Sequence, residues 1–368
     1  MTNPVSAPNL DAISIAATAL DEGWSLPYTW MGNPDVHAFE QGAIYERSWQ
    51  VAGLERDVHE AGSYVTTQIG RVPVVVARGE DGVLRAFANI CRHRGHPVAE
   101  GTGCRRVMVC RYHGWSYDLS GKLKTAPGAD GTLESHRDDL ALRQVAAACW
   151  QGIIFVNADR DARPFHTTYP SLAPLAAKTG LNLSDYAHHS RVDLDMSCDW
   201  KLLYDNTVEC YHCAMVHPSS LNRMYASEGF YAGGWQDGVR YARAQLTDGR
   251  RLHHSLQLFP GMLLFTDPVV GLLGRIYPTG VGRSRFSVDF LAAPGADASE
   301  VEEFVELWTQ TLREDQALLA KVAIGVASGT IDRGRLLMTR EDSLPGVQAM
   351  ILAAYREALT SLAARQRY

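Results

Sequence analysis

Cys91-Arg92-His93-Arg94-Gly95 and Cys110-Arg111-Tyr112-His113-Gly114-Trp115-Ser116-Tyr117-Asp118 are the two stretches on which the reading of this chain turns. Each offers one thiolate and one imidazole from a short loop, and together they read C-x-H-x16-C-x-x-H. Turn-forming residues follow both: Gly95 and Pro97 after the first, Gly114 after the second. Two such loops can pinch one metal centre between them. Cys104, between the loops, reads as a free loop thiol.

A mixed Cys2His2 set suits two kinds of centre. One is a Rieske [2Fe–2S] cluster, in which two cysteines hold one iron and two histidines the other. The other is a structural zinc ion. The Cys-x-His half is tighter than the usual zinc-finger spacing, and strand-like segments flank both loops, which favours the cluster. The texture from about Tyr45 to Asn157 is β: Tyr64-Val65-Thr66-Thr67, Val74-Val75-Val76-Ala77, Val107-Met108-Val109 and Ile153-Ile154-Phe155-Val156 are short strand-forming runs broken by glycine-rich turns such as Gly79–Gly82. Pro73 predicts that the second run starts there or lies at an edge. The pattern predicts a small sandwich or barrel. A polar stretch from Asp159 to Pro174, carrying Pro164 and Pro170, marks a boundary. Three parts follow: a partly helical lead-in over 1–44, interrupted at Leu26-Pro27-Tyr28, a β domain over 45–160, and a mixed domain over 161–368. In the last, Trp200–His217, Val301–Ile324 and Gly346–Arg365 read as helices, and Val239–Gln245 and Phe286–Leu291 as strands.

The 368 residues are 46% hydrophobic and 21% charged, an ordinary globular balance with enough apolar mass for two cores. The net charge of −6 and the lack of any polybasic tract argue against nucleic acid or an anionic membrane as a partner. The N-terminus has no basic, apolar signal pattern. The most apolar candidate for a span, Leu258–Gly274, is broken by Pro260, Asp267 and Pro268. An odd count of seven cysteines, several near histidines, predicts metal ligation in a reducing cytoplasm rather than disulfides.

A second dense site is Asp205-Asn206-Thr207-Val208-Glu209-Cys210-Tyr211-His212-Cys213-Ala214-Met215-Val216-His217-Pro218. Two histidines with a carboxylate from elsewhere would make a 2-His-1-carboxylate iron site, with open positions for O2 and substrate. Positions five apart on an ideal helix are ~140° apart around its axis. His217 is therefore expected at a frayed or bulged helix end, helped by Pro218. Glu209, three residues before His212, is placed to touch that imidazole. A compact zinc knot of Cys210, His212, Cys213 and His217, or a purely structural helix, is the competing reading.

The two loops resemble the signature of the Rieske non-haem iron oxygenases. They differ from respiratory Rieske proteins: His96 and Tyr112 stand where those proteins have an extra disulfide, and Trp115 replaces a serine that donates to the cluster. Fewer hydroxyl donors imply a lower potential. The resemblance extends to the second site, where the family's D/E-x-x-H-x4-H segment implies His212 and His217 as iron ligands. It implies Glu209 as the carboxylate that links an iron-bound histidine to a cluster histidine, matching His113, of a neighbouring subunit. In Leu312–Leu319 the family's E-D segment implies Asp315, rather than Glu314, as the third ligand. Asp205 is a candidate hydrogen-bond partner for a ligand histidine. The implied fold is α+β: a small all-β Rieske domain and a helix-grip (START-like) catalytic domain with an antiparallel sheet and long helices. The implied function is that of a terminal oxygenase with a [2Fe–2S] cluster bound by Cys91, His93, Cys110 and His113 and a mononuclear Fe(II).

No G-x-G-x-x-G follows a strand and no plant-type ferredoxin cysteine run occurs, so a separate reductase or ferredoxin is the expected electron donor. The family implies a homotrimer with electron transfer across subunits. The Glu209–Cys213 string resembles the subgroup that hydroxylates or demethylates quaternary amines; a ring hydroxylase or O-demethylase is the alternative, and an electron carrier or zinc protein a more distant one. Phe265 and Tyr277 are candidates for the pocket wall.

Overall fold

A computed structural model of the protein describes residues 7–129, 133, 136–225 and 231–365. Residues 1–6 of the lead-in and 366–368 of the last domain lie outside the described residues. The chain divides into two compact units, Tyr45–Phe165 and Met1–Ile44 with His166–Tyr368.

The first unit is built of antiparallel strands. β1 (Gln50–Leu54), β2 (Ser63–Ile69), β3 (Val72–Arg78), β4 (Leu84–Ala88), β5 (Thr102–Cys104), β9 (Gln144–Trp150) and β10 (Ile153–Asn157) form one sheet in the order β1-β10-β9-β4-β3-β2-β5. β6 (Val107–Val109), β7 (Ser116–Asp118) and β8 (Leu123–Thr125) form a second, smaller one. The apolar run in β3 reflects burial of both its faces. Val75 and Ala77 pack with Tyr64, Phe87 and Met108, whereas Val74 and Val76 pack with Val65, Ala86 and Ile154 on the other side. Pro73 is tolerated as the second residue of the strand, although β3 lies inside the sheet. Cys91 and Cys110 belong to the first of these cores, which sinks both loops into the fold.

In the second unit, β11 (Ala187–Met196), β12 (Tyr231–Gln236), β13 (Val239–Gln245), β14 (Leu252–Leu258), β15 (Met262–Thr266), β16 (Val270–Gly280) and β17 (Arg283–Ala292) make a seven-stranded antiparallel sheet, ordered β11-β17-β16-β15-β14-β13-β12. The apolar stretch Leu258–Gly274 is thus a hairpin, with Pro260, Asp267 and Pro268 in its turns. No helix among the described residues is long and apolar enough to cross a membrane.

The helices of this unit are α1 (Leu10–Asp21), α2 (Pro34–Ala43), α3 (Phe165–Thr168, begun at the end of the first unit), α4 (Leu172–Ala177), α5 (Trp200–Val208), α6 (Cys213–Val216), α7 (Leu221–Met224), α8 (Ala298–Ala327) and α9 (Leu344–Arg365). Val301, Phe304, Trp308, Leu312, Asp315 and Leu319 of α8 recur at helical spacing and form its buried stripe. Two buried polar knots hold α5. Lys201 Nζ lies 2.7 Å from Glu40 of α2 and 2.9 Å from Asp199, the residue that caps α5. Trp200 Nε1 and the Tyr355 hydroxyl of α9 also donate to Glu40. Gln348 of α9 donates to Asp205 Oδ2 at 2.8 Å and accepts from the Leu26 backbone, tying the lead-in to α5.

The predicted helix Trp200–His217 is not continuous. α5 ends at Val208, Glu209 is extended (φ −122°, ψ 166°), and a single turn, α6, follows. The break is local: the Glu209 carboxylate accepts the Tyr211 backbone N–H, taking the place of a helical acceptor. A second correction concerns the cysteines. Cys210 and Cys213 are joined in a disulfide, their Cα atoms 5.1 Å apart, where none was expected. The C-x-x-C turn brings the two within bridging distance irrespective of the rest of the fold.

Candidate metal centres and their cavity

The two loops of the β unit are near copies of one another. Gly95 N–H donates to Cys91 O and Gly114 N–H to Cys110 O, both at 3.0 Å. These glycines have φ of +80° and +74°, which a side chain disfavours, so each closes its loop where other residues would strain it. The thiols of Cys91 and Cys110 are buried side by side, and burial with Cys91 alongside pushes the Cys110 thiol up. The imidazoles of His93 and His113 lie on the exposed side, ring centroids 4.7 Å apart, with His93 stacked on Trp115 and His113 on Tyr112.

The arrangement separates two sulfurs from two nitrogens. Among the described residues these four do not converge to within single-ion distance; only His212, His217 and Asp315 do so. A two-iron cluster needs that split, whereas tetrahedral zinc needs all four atoms around one point. Tyr117 adds a group whose role sequence reasoning missed. Its hydroxyl lies 3.3 Å from Cys91 Sγ and accepts the Arg92 N–H at 2.9 Å, leaving its proton for the sulfur. Its signal was its place on β7, two residues after Trp115, where strand alternation turns it inward.

In the second unit, His212 and His217 bracket α6, His217 at its C-terminal end, in agreement with a frayed helix end. His217 Nε2 is 3.1 Å, and His212 Nε2 3.5 Å, from Asp315 Oδ1, and the three donor atoms lie within 4.8 Å of one another. Asp315 Oδ1 is buried yet makes no well-formed hydrogen bond. Three donors that converge without bonding each other fit a divalent cation with two nitrogens and one oxygen. The outer nitrogens are fixed. His212 Nδ1 donates to Glu209, and His217 Nδ1 to Glu314 at 2.8 Å. Glu314, the rejected rival of Asp315, thus orients a histidine, and is itself held by Ser220 at 2.5 Å and Gln310 at 2.8 Å. Both Nε2 atoms are thereby turned toward Asp315. Burial pulls the His212 pKa down, but Asp315 and Glu209 more than offset it, raising it to about 9.

Asp205 does not reach either histidine. It bonds Gln348, while Asn206 Nδ2 lies 3.0 Å from His212 Nε2. Burial raises the Asp205 carboxyl to about 7, against the opposing Gln348 hydrogen bond.

The three donors open on a cavity lined by α5, α8, the α6 turn and the inner face of the sheet. Tyr225, Phe265, Phe286 and Trp308 supply its aromatic wall. Gly274 makes room for Phe286: a Cβ there would lie 2.7 Å from its ring. Phe265 lines the wall as expected; Tyr277 does not.

Two family models match the chain: the Rieske [2Fe-2S] domain over residues 48–142 and the ring hydroxylating alpha subunit (catalytic domain) over 183–357. The carnitine monooxygenase oxygenase subunit of Escherichia coli (strain K12) is 26% identical over 329 residues, covering 86% of this chain and 88% of its own. The chloroplastic choline monooxygenase of Atriplex hortensis is 27% identical over 333 residues, covering 86% and 75%. A crystal structure of a quaternary ammonium Rieske monooxygenase in complex with L-carnitine superposes with a TM-score of 0.83 at 22% identity, over 95% of this chain and 100% of that one. Two metal-binding motifs, each on the fold its family model describes, and relatives alike over nearly their full length make this chain a member of the Rieske non-haem iron oxygenases, an oxygenase component with a [2Fe–2S] domain and a mononuclear-iron catalytic domain.

Proposed function

We propose that this oxygenase hydroxylates or demethylates a small quaternary amine, with Cys91, His93, Cys110 and His113 holding the cluster and His212, His217 and Asp315 the iron. Bound there, the iron would supply O2 activation and the cluster electrons one at a time. The observation that carries the reading is the aromatic wall beside the three donors. Tyr225, Phe265, Phe286 and Trp308 face one cavity, and aromatic faces attract a desolvated ammonium that cannot be bound by a hydrogen bond. Full-length relatives that act on carnitine and choline support the same substrate class.

This chain's own residues do the remaining work. Glu209 and Glu314 hold the two imidazoles in the tautomer that points Nε2 inward. The apolar wall excludes water around the substrate's methyl groups. Glu209 is the proposed electron bridge to a neighbouring subunit of a homotrimer. A separate reductase or ferredoxin delivers electrons from NAD(P)H, in the cytoplasm. The test is substrate-dependent O2 uptake by the reconstituted oxygenase with a reductase, over a panel of quaternary amines and aromatic acids. Uptake with at least one quaternary amine and none with the aromatic acids is expected; the reverse pattern ends this reading.

A further inference from the structure

The cavity has a second, polar end. Arg240 of β13 pairs in register with Gln257 of β14, and Ala242 with Ser255, so all four side chains share one sheet face and line the cavity. Phe265 follows opposite Ser255 on β15. Polarity therefore changes across the floor, from Arg240, Ser255 and Gln257 to the aromatic wall.

Arg240 is only 3% exposed, and it forms no ion pair among the described residues. Its Nη1 donates to Gln257 Oε1 at 3.0 Å, and its Nε has no partner. Gln257 is locked in that orientation, because its Nε2 donates to the Thr207 carbonyl at 3.3 Å. The Ser255 hydroxyl is likewise buried without a partner. Burial weakens the hold of Arg240 on its proton, and Asp342 opposes this from beyond ion-pair distance. A guanidinium withdrawn from water without a carboxylate is costly. Here Arg240 and Ser255 line the cavity that the iron ligands share.

Resting on the quaternary-amine reading, we propose that Arg240 binds a carboxylate of the substrate, assisted by Ser255. The substrate would then be a zwitterion, with its ammonium at the aromatic wall and its carboxylate at the β13–β14 end. Betaine-type amino acids satisfy this; amino alcohols such as choline and neutral arenes do not.

The experiment measures anaerobic binding by calorimetry, using oxygenase loaded with cluster and iron. The probes are γ-butyrobetaine, its methyl ester, and 5,5-dimethylhexanoate, which replaces the ammonium by carbon. The acid is expected to bind about 10- to 100-fold more tightly than the ester, the scale of a charge-assisted hydrogen-bonded pair. In Arg240→Gln that ratio should fall close to one through weaker acid binding. Arg240→Lys should restore part of it, as a point charge without the planar fork. Equal binding of acid and ester by the unaltered protein overturns the proposal and leaves the quaternary-amine reading intact. If 5,5-dimethylhexanoate binds as well as γ-butyrobetaine, the ammonium reading fails and the carboxylate site stands. Binding of none of the three overturns both. The acid–ester comparison needs no variant, so a misfolded Arg240→Gln leaves the proposal exposed to refutation.

Discussion

At the scale of single residues, the two centres share one design: ligands held by partners that do not themselves bind metal. Asp315 is the donor that both imidazoles face, whereas Glu314, one position earlier on α8, turns to His217 Nδ1. Asp315→Ala should abolish stoichiometric iron while the visible bands of the cluster persist. Glu314→Gln should weaken iron binding by about 10- to 100-fold, the usual effect of losing a group that orients a ligand. Metal analysis of the two purified variants distinguishes the roles. Tyr117 makes a comparable contribution at the cluster. A hydroxyl donating to a ligand thiolate stabilises the extra electron of the reduced state, so Tyr117→Phe should lower the reduction potential by tens of millivolts, given that ~60 mV corresponds to about 1.4 kcal/mol for one electron. Protein-film voltammetry measures this directly. The expectation of fewer hydroxyl donors, argued from Trp115, concerns that position; Tyr117 is a hydroxyl that the cluster site keeps.

At the scale of elements, α5 determines where the iron site begins. Its start is held by Asp199, Lys201 and Glu40, and its second turn by Asp205 against Gln348 of α9. Asp205 is half-buried and its Oδ1, shielded from solvent, has no partner, so its charged form is disfavoured. A carboxyl raised from 3.8 to about 7 contributes stability that is complete below pH ~4 and is lost as the pH rises through about 7. Three units correspond to roughly 4 kcal/mol, an upper bound for a site that can relax. Asp205→Asn, which resembles the protonated form, should therefore raise the melting temperature at pH 8, and the gain should shrink toward pH 5. A gain that is the same at both pH values would remove the explanation. The predicted helix does not continue through the α6 turn, although Tyr211 and Met215 stand four residues apart. Both are exposed, and the Glu209 carboxylate accepting the Tyr211 N–H had outcompeted the helix.

At the scale of the whole molecule, the proposed electron path joins the cluster of one subunit to the iron of the next. A His113→Ala variant lacking the cluster and an Asp315→Ala variant lacking the iron should each be inactive. Co-expressed and assembled into mixed oligomers, they should recover part of the activity, because a subunit with only a cluster can serve a neighbour with only iron. Adding Glu209→Gln to the His113→Ala chain, the one that retains iron, should suppress that recovery. Recovery unaffected by Glu209 would assign the bridge to another group.

What the sequence determined by itself is whatever short-range geometry dictates. The C-x-H and C-x-x-H loops, with glycine at their left-handed closing positions, and the His212–His217 pair ahead of Pro218 can each be read locally, because tight turns bring those atoms together whatever surrounds them. Strands such as β3 and the long stripe of α8 are legible for the same reason, as runs of side chains at a fixed period. Asp315 could be named only through family resemblance, since it comes from a helix far along the chain. The tertiary structure alone decided the rest: that Glu314 and Asn206 meet the histidines, that Asp205 meets Gln348 instead, and that Tyr117 reaches the sulfur of Cys91. It also decided that Arg240 and the aromatic wall share one cavity. Those contacts depend on strand register and helix docking between distant segments, and no spacing along the chain records which residues such packing will bring face to face.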